Sequence, residues 1–226
     1  MIIRRIRQTL QGVYEITPDV ESAFFLRARY LQSVSENRLV AVPDGLAEGD
    51  SLFIQPGDLQ AGMDGVFSLE ESSDILHAAL VYSIENAAMT YLAGAEQCRA
   101  SLVSKLTKKG LEKNDVDMAL DYLEETGYLD DYRFACAWLR TRYINHAEGR
   151  TKLSRELLSR GIAGQTVKKA LDDFFQNHTQ KDICRRAVKK YFRTHKSAAS
   201  DKIYSSLIRQ GFTYSQIKEA LSASDS

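Results

Sequence analysis

Long apolar runs are missing from this 226-residue chain, and that absence removes the first class of proteins from consideration. No stretch approaches the ~18 consecutive apolar residues of a membrane span. The start, Met1-Ile2-Ile3-Arg4-Arg5, reaches Arg7 and Gln8 without the apolar core of a signal peptide, so a soluble, cytoplasmic protein is expected. Cysteine is scarce as well. Cys98, Cys136 and Cys184 are odd in number, far apart and each set in a helical pattern, which fits reduced thiols and not a disulfide framework. The histidines His77, His146, His178 and His195 are scattered, so no metal-ligand spacing appears. There is no phosphate-cradling glycine loop, no Gly-x-Ser-x-Gly elbow and no Cys-x-x-Cys. Neither catalysis nor a cofactor or metal is expected.

What the sequence does have is a glycine-centred pattern, written three times. It reads Leu102, Leu106, Gly110, Val116, Ala119, Leu120; then Leu153, Leu157, Gly161, Val167, Ala170, Leu171; then Ile203, Leu207, Gly211, Ile217, Ala220, Leu221. Apolar residues four apart on either side of each glycine mark the faces of two helices. The glycine supplies the positive φ that ends the first of them, and Lys108, Lys109, Arg160 and Arg209 suit the carbonyl end of its dipole. Thr213 with Gln216 fits a capping box that opens the last helix. A further helix stands before each pair, near 75–93, 130–146 and 179–195, and Leu76, Leu80, Ile84 and Ala88 mark a stripe on the first of these. The pattern predicts a mainly α fold of three tandem three-helix repeats, at 68–127 (with a linker helix), 128–176 and 177–226. Such units bury little apolar surface alone, so they should stack into an elongated array that can curve.

Residues 1–67 differ in kind. They hold all three prolines, Pro18, Pro43 and Pro56, and turn signals at Pro43-Asp44-Gly45 and Pro56-Gly57-Asp58. Between these lie short runs from Ile2 to Thr9, Val13 to Thr17, Ala23 to Ala28, Leu39 to Val42 and Leu52 to Ile54, which predict a small β-rich subdomain.

Net charge is zero, yet it is unevenly distributed. Residues 1–84 carry 6 Lys and Arg against 12 Asp and Glu, residues 85–132 carry 5 against 10, and residues 133–226 carry 19 against 8. An acidic front and a basic back point to a polyanionic partner for the back. In the helix near 181–195, Ile183, Ala187, Val188 and Tyr191 form an apolar stripe, while Arg185, Lys189 and Arg193 recur every four residues beside Arg186 and Lys190. Like charges at that spacing cost an isolated helix about 0.2–0.5 kcal/mol each, which a phosphate backbone or an acidic groove would offset. The second repeat adds Arg140, Arg142, Arg150, Lys152, Arg155, Arg160, Lys168 and Lys169. For any single member the plain alternative is a solvated helix face.

Gly127-Tyr128-Leu129-Asp130-Asp131, with Phe134-Ala135, Trp138-Leu139-Arg140, Arg142, Gly149 and the run Leu153-Ser154-Arg155-Glu156-Leu157-Leu158-Ser159-Arg160-Gly161-Ile162, resembles the central signature of the RecX regulatory proteins. The resemblance spans about residues 85–222. Ala95, Cys98, Ser101 and Arg150 depart from the family's common Arg, Ser, acidic residue and Pro. The resemblance implies three tandem three-helix units and a monomeric, non-enzymatic modulator of the RecA recombinase. Such a protein lies in the groove of the RecA–DNA filament and limits filament growth, ATP hydrolysis, strand exchange and repressor cleavage, with consequences for DNA repair and the SOS response. Contacts to single- and double-stranded DNA would then be weak and indifferent to sequence.

Other readings of the same residues have structural or functional alternatives. Asp130 or Asp131 suits an N-cap better than an acid/base pair, with Leu129, Phe134 and Trp138 in the core beneath. Gly161-Ile162-Ala163-Gly164 mimics the loop of an RNA-binding KH domain but joins two helices. Tyr143, Tyr191, Phe192, Tyr204, Phe212 and Tyr214 could stack on bases, although helical spacing assigns most of them to the core. Two alternatives to filament binding stand beside it. One is a helix–turn–helix around Gly161 or Gly211 that reads a major groove, and the other is a scaffold that binds only protein.

Overall fold

The structure is a computed structural model that describes residues 1–40, 66–195 and 200–223. The sequence-predicted turns at 43–45 and 56–58 and the run at 52–54 lie outside the described residues, as do the last two residues of the run at 39–42. The chain divides into two compact units, Met1–Thr90 with Leu106–Glu125, and Tyr91–Lys105 with Thr126–Ser226.

In the first unit β1 (Ile3–Leu10), β2 (Val13–Pro18) and β3 (Phe24–Arg27) form an antiparallel sheet in that order. The first turn closes at Gly12, whose φ of 68° a side chain would resist. Ile3, Val13, Ile16 and Leu26 are buried. A short helix, α1 (Glu36–Val40), precedes the long α2 (Leu69–Gly94), and α4 (Lys113–Glu125) completes the unit. Helix α2 begins where Ser68 and Glu71 exchange backbone-to-side-chain hydrogen bonds (2.8 and 3.1 Å) in a capping box, so the linker helix expected from residue 68 and the helix expected near 75–93 are continuous.

Leu76 and Leu80 are exposed, contrary to the predicted stripe. The inward face runs instead through Ile75, Ala78, Val81, Ile84 and Ala88, and it includes two buried carboxylates that hydropathy conceals. Asp74 accepts the backbone N–H groups of Gln32, Ser33 and Val34 at 2.8–3.0 Å. Burial pushes its carboxyl up, but those three donors outweigh the burial and hold it below its usual range. Glu85 accepts Nε and Nη2 of Arg27 at 2.8 and 2.5 Å and the Tyr30 hydroxyl at 2.8 Å. Both carboxylates are satisfied, so sheet and helix are joined by polar contacts as well as by the core.

The second unit contains α3 (Arg99–Thr107) up to Lys105, then α5 (Asp131–Asn145), α6 (Arg150–Leu158), α7 (Gly164–Asn177), α8 (Gln180–Thr194), α9 (Ser200–Arg209) and α10 (Tyr214–Ser222). Each repeat glycine ends a helix with positive φ: 85° at Gly110, 83° at Gly161 and 89° at Gly211. Every apolar residue of the repeat pattern is buried except Leu221, which packs half-buried on its cluster. The Thr213–Gln216 capping box is formed, and Asp130 caps α5 by accepting from the Tyr132 and Arg133 N–H groups.

Two expectations need correction. Phe134 and Trp138 are half-buried at the core margin, because Ala135 and Leu139 take the inward positions of α5. Cys98 stands ahead of α3 instead of inside a helix. Asp131 accepts the Arg99 N–H (2.8 Å), which starts the helix one residue later.

A backbone contact joins consecutive repeats within this unit. Gly149, the N-cap of α6, donates its N–H to the Gln210 carbonyl (2.8 Å) beside Gly211. At the preceding repeat Cys98, ahead of α3, donates its thiol to the Arg160 carbonyl (3.6 Å) beside Gly161. The start of the middle helix in one repeat therefore abuts the terminal turn of the equivalent helix in the next.

Candidate nucleic-acid interface

The thirteen cations singled out in the sequence all lie in the second unit, and their surroundings sort them into two groups. The first group is held by the protein itself. Arg142 sits between two acids, donating to both oxygens of Glu148 (2.5 and 2.9 Å) and to Glu156 (3.2 Å), with its guanidinium 5.7 Å from the Trp138 ring. Lys152 reaches Glu148 at 2.7 Å and Gln210 at 3.0 Å. Glu148 is only 4% exposed. Burial raises its carboxyl, and the hydrogen bonds from Arg142 and Lys152 more than reverse that, leaving it below the usual range.

Other members of this group close helix ends or cover aromatic rings. Arg160 donates to the Glu156 carbonyl (2.6 Å) and lies 4.8 Å over Trp138, so it serves the helix terminus as its position predicts. Arg150 and Lys168 share Asp172 at 2.5 and 2.8 Å. Lys169 lies 4.5 Å over the Tyr132 ring. Arg186 donates to the carbonyls of Tyr143 and His146 and covers the Tyr143 ring at 4.3 Å.

The second group is free. Arg140, Arg155, Lys189, Lys190 and Arg193 are exposed, and none has an ion-pair partner among the described residues. Arg185 is intermediate: Asp182 stands 3.7 Å away, while its Nε is buried without a hydrogen-bond partner.

Helix α8 supplies most of this second group because of its amphipathic spacing. Ile183, Cys184, Ala187 and Val188 are buried and Tyr191 half-buried, as the predicted stripe requires. The remaining positions turn the cations to both flanks of that stripe. Arg185, Lys189 and Arg193, with Val188, Phe192 and Ala223, line an open groove of about 850 Å³. Lys190 opens into a second depression of about 360 Å³, shared with Arg142, Lys152, His146 and His195. Arg155 borders a shallow patch with Arg150 and the exposed Leu158. Arg140 borders a third groove with Cys136, Asp173 and His178.

Of the aromatic candidates, Phe212 is buried, and Tyr143, Tyr191 and Tyr204 are packed half-buried against the core of the last repeat. Tyr214 is exposed but stacks on Tyr204 at 4.6 Å. Phe192 is 45% exposed and flanked by cations, a combination its helical position alone did not reveal. Gly161-Ile162-Ala163-Gly164 joins α6 to α7. Among the described residues no three His, Cys, Asp or Glu side chains converge on a point fit for a metal ion, and no helix is long and apolar enough to cross a membrane.

Comparison with known proteins agrees with this architecture. The family model for the second three-helix domain of RecX matches residues 130–171, the α5–α7 repeat. A crystal structure of a regulatory protein RecX superposes with a TM-score of 0.70 over 98% of this chain and all of that one, at 19% identity. RecX from Lactobacillus salivarius superposes with a TM-score of 0.56 over 64% of this chain and 96% of its own, at 20% identity. These two establish a shared fold. The regulatory protein RecX of Streptococcus pneumoniae serotype 19F (strain G54) is 27% identical over 185 residues, covering 80% of this chain and 72% of that protein. That of Treponema pallidum (strain Nichols) is 32% identical over 152 residues, covering 67% of this chain and 92% of its own length. The chain belongs to the RecX family of regulatory proteins.

Proposed function

We propose that this protein regulates the RecA recombinase by lying in the groove of the RecA–DNA filament, where it limits filament growth, ATP hydrolysis, strand exchange and coprotease activity. The observation that carries this reading is the set of cations with no counter-charge among the described residues: Arg140, Arg155, Lys189, Lys190 and Arg193, with Arg185 half-engaged. Unpaired like charges on one unit repel one another, and a polyanion removes that repulsion by exchanging its condensed counterions for them. Their contacts would go to phosphates, or to acidic protein groups beside them, so they would give affinity and no base sequence.

The paired cations act differently in this reading. Arg142, Lys152 and Arg160 hold the helices that display the free ones, and Arg150, Lys168, Lys169 and Arg186 extend the basic face while bound to acids, carbonyls or rings. The protein acts as a monomer in the cytoplasm and needs no cofactor.

The test is a titration of RecA ATPase on single-stranded DNA at two salt concentrations, with the unmodified protein and with Arg185→Glu, Lys189→Glu and Arg193→Glu combined. The unmodified protein inhibits, more weakly at higher salt. The triple variant, folded by circular dichroism, should need at least about tenfold more protein for the same inhibition. Equal potency of the two proteins would refute the assignment of this face.

A further inference from the structure

The second and third repeats can be superimposed along their sequences by their capped first helices. Asp130 caps α5 and Thr179 caps α8. Counted from these caps, Ala135 corresponds to Cys184 and Leu139 to Val188, all four buried. Cys136 then corresponds to Arg185, Arg140 to Lys189 and Tyr143 to Phe192. Counted from Gly161 and Gly211, Asp173 corresponds to Ala223. The groove lined by Cys136, Leu139, Arg140 and Asp173 and the groove lined by Arg185, Val188, Lys189 and Ala223 are therefore the same feature of two successive repeats.

Their contents differ. In the second repeat α7 continues to Asn177, and the Tyr143 ring stacks on the His178 ring at 4.1 Å with Phe174 edge-on at 5.8 Å. That groove keeps only about 190 Å³. In the third repeat α10 runs to Ser222, and among the described residues the Phe192 ring has one aromatic neighbour, Tyr191, edge-on at 6.1 Å. Phe192 is 45% exposed in a groove of about 850 Å³. The position that is filled by a planar partner in one repeat is open in the next.

The rim of the open groove is chemically distinct too. Arg185 replaces Cys136, and Arg193 replaces Ile144, so three cations line the groove around the exposed ring; the corresponding rim positions of the second repeat hold Arg140, Cys136 and Ile144, and its Tyr143 ring is covered from another helix by Arg186 at 4.3 Å. The buried Arg185 Nε lacks an acceptor. Among the described residues, Asp182 stands 3.7 Å from Arg185, and Glu219 is engaged by Lys181.

We infer that the Phe192 groove is a stacking subsite for one base of a single-stranded nucleic acid, with Arg185, Lys189 and Arg193 holding the flanking phosphates. Any base presents a π-face, so stacking adds affinity without sequence choice, and a paired base in a duplex has no free face to offer. The assignment rests on the nucleoprotein reading above and adds to it a preference for unpaired strands.

The test uses the full chain and three fluorescent probes without recombinase: a thymidine homopolymer, an abasic oligonucleotide of equal length, and a duplex. The unmodified protein should bind the homopolymer about tenfold more tightly than the abasic strand. Phe192→Ala should abolish that difference while leaving abasic and duplex binding unchanged, and Phe192→Tyr should restore it. Lys189→Glu should weaken all three probes. Equal binding of homopolymer and abasic strand by the unmodified protein would overturn the subsite, as would a base preference that survives in Phe192→Ala. An acidic protein segment as the natural occupant predicts that first failure. Because RecA is absent here, loss of base preference reports on the subsite alone, whereas unaltered ATPase inhibition by the triple charge reversal reports on the filament reading.

Discussion

Gly149→Ala should destabilise the second unit, although nothing in the residue's own backbone forbids alanine. Its φ of −78° and ψ of 163° are extended values that any residue adopts. On local grounds the substitution would stabilise by about 0.4–1 kcal/mol, since alanine has less freedom to lose on folding. Two effects oppose this. A Cβ at position 149 would lie 2.2 Å from the Gly211 carbonyl oxygen, 2.5 Å from its carbon and 2.9 Å from the Phe212 nitrogen, all backbone atoms that cannot swing aside. Moving the two repeats apart to admit it is overpacking, worth about 1–3 kcal/mol. It would also stretch the hydrogen bond from Gly149 to Gln210, and alanine is a poorer N-cap than glycine. The balance is a loss of about 1–3 kcal/mol, which for a chain of this size lowers Tm by about 2–4 °C per kcal/mol. Gly164→Ala is the control. It opens α7, and a Cβ there meets no atom within 4 Å, so the same chemical change should raise Tm. Urea and thermal unfolding followed by circular dichroism at 222 nm would measure both. A Gly149→Ala protein as stable as the parent would refute the contact as the joint between repeats.

Further expectations follow from the buried acids and their partners. Glu148→Gln should cost about 2 kcal/mol by leaving Arg142 and Lys152 without their shared charge, and it should flatten the acid limb of stability. The sign follows from the lowered carboxyl: its contribution is complete above the ordinary Glu value of about 4.3 and disappears as pH falls below that, which urea midpoints between about pH 3 and 6 would trace. Asp74→Asn should lose about 1–2 kcal/mol, because a neutral amide oxygen accepts the three backbone N–H groups more weakly than the charged carboxylate and its NH2 would face the Gln32 N–H, and the carboxylate's contribution likewise fades on acidification, below about pH 4. Arg142→Ala should lower Tm, whereas Arg140→Ala and Arg155→Ala should leave stability within about 0.5 kcal/mol and act only on polyanion binding. Cys184 should react slowly with thiol reagents at pH 8, because burial pushes its thiol up to about 11.

The helical part of the fold was legible because a single periodicity, repeated about a glycine, specified both helices and the break between them. Those glycines take positive φ, and the residues around them are core. The three strands were legible from short alternating runs bounded by Gly12 and Pro18. Helix α2 was misread because hydropathy treats a carboxylate as an outward residue. Asp74 and Glu85 point inward, toward the Ser33 N–H and the Arg27 guanidinium, each more than forty residues away in sequence. The candidate interface was half legible. Its cations could be counted, but whether one is free depends on acids from other helices, such as Asp172 for Arg150 or Glu156 for Arg142. The exposure of Phe192 had no signal within α8, because it depends on what α10 brings opposite it.

The division between tied and free cations bears on how such a surface can exist in a stable protein. Residues 133–226 hold 19 basic side chains and 8 acids, so most of the excess charge has no acid to meet within that stretch. Three of the acids stand where helices join: Glu148 and Glu156 around Arg142, and Asp172 between Arg150 and Lys168. Each removes the repulsion where it would do most damage, inside the unit, and none neutralises Lys189, Lys190 or Arg193. Exposed charges interact through water and are screened within about 8 Å at physiological ionic strength, so leaving these unpaired costs little in the free protein. The same cations gain when counterions are exchanged for a fixed row of phosphates. Repeats held together by buried ion pairs and glycine contacts can therefore carry a cationic flank that contributes little to stability and remains available to a partner.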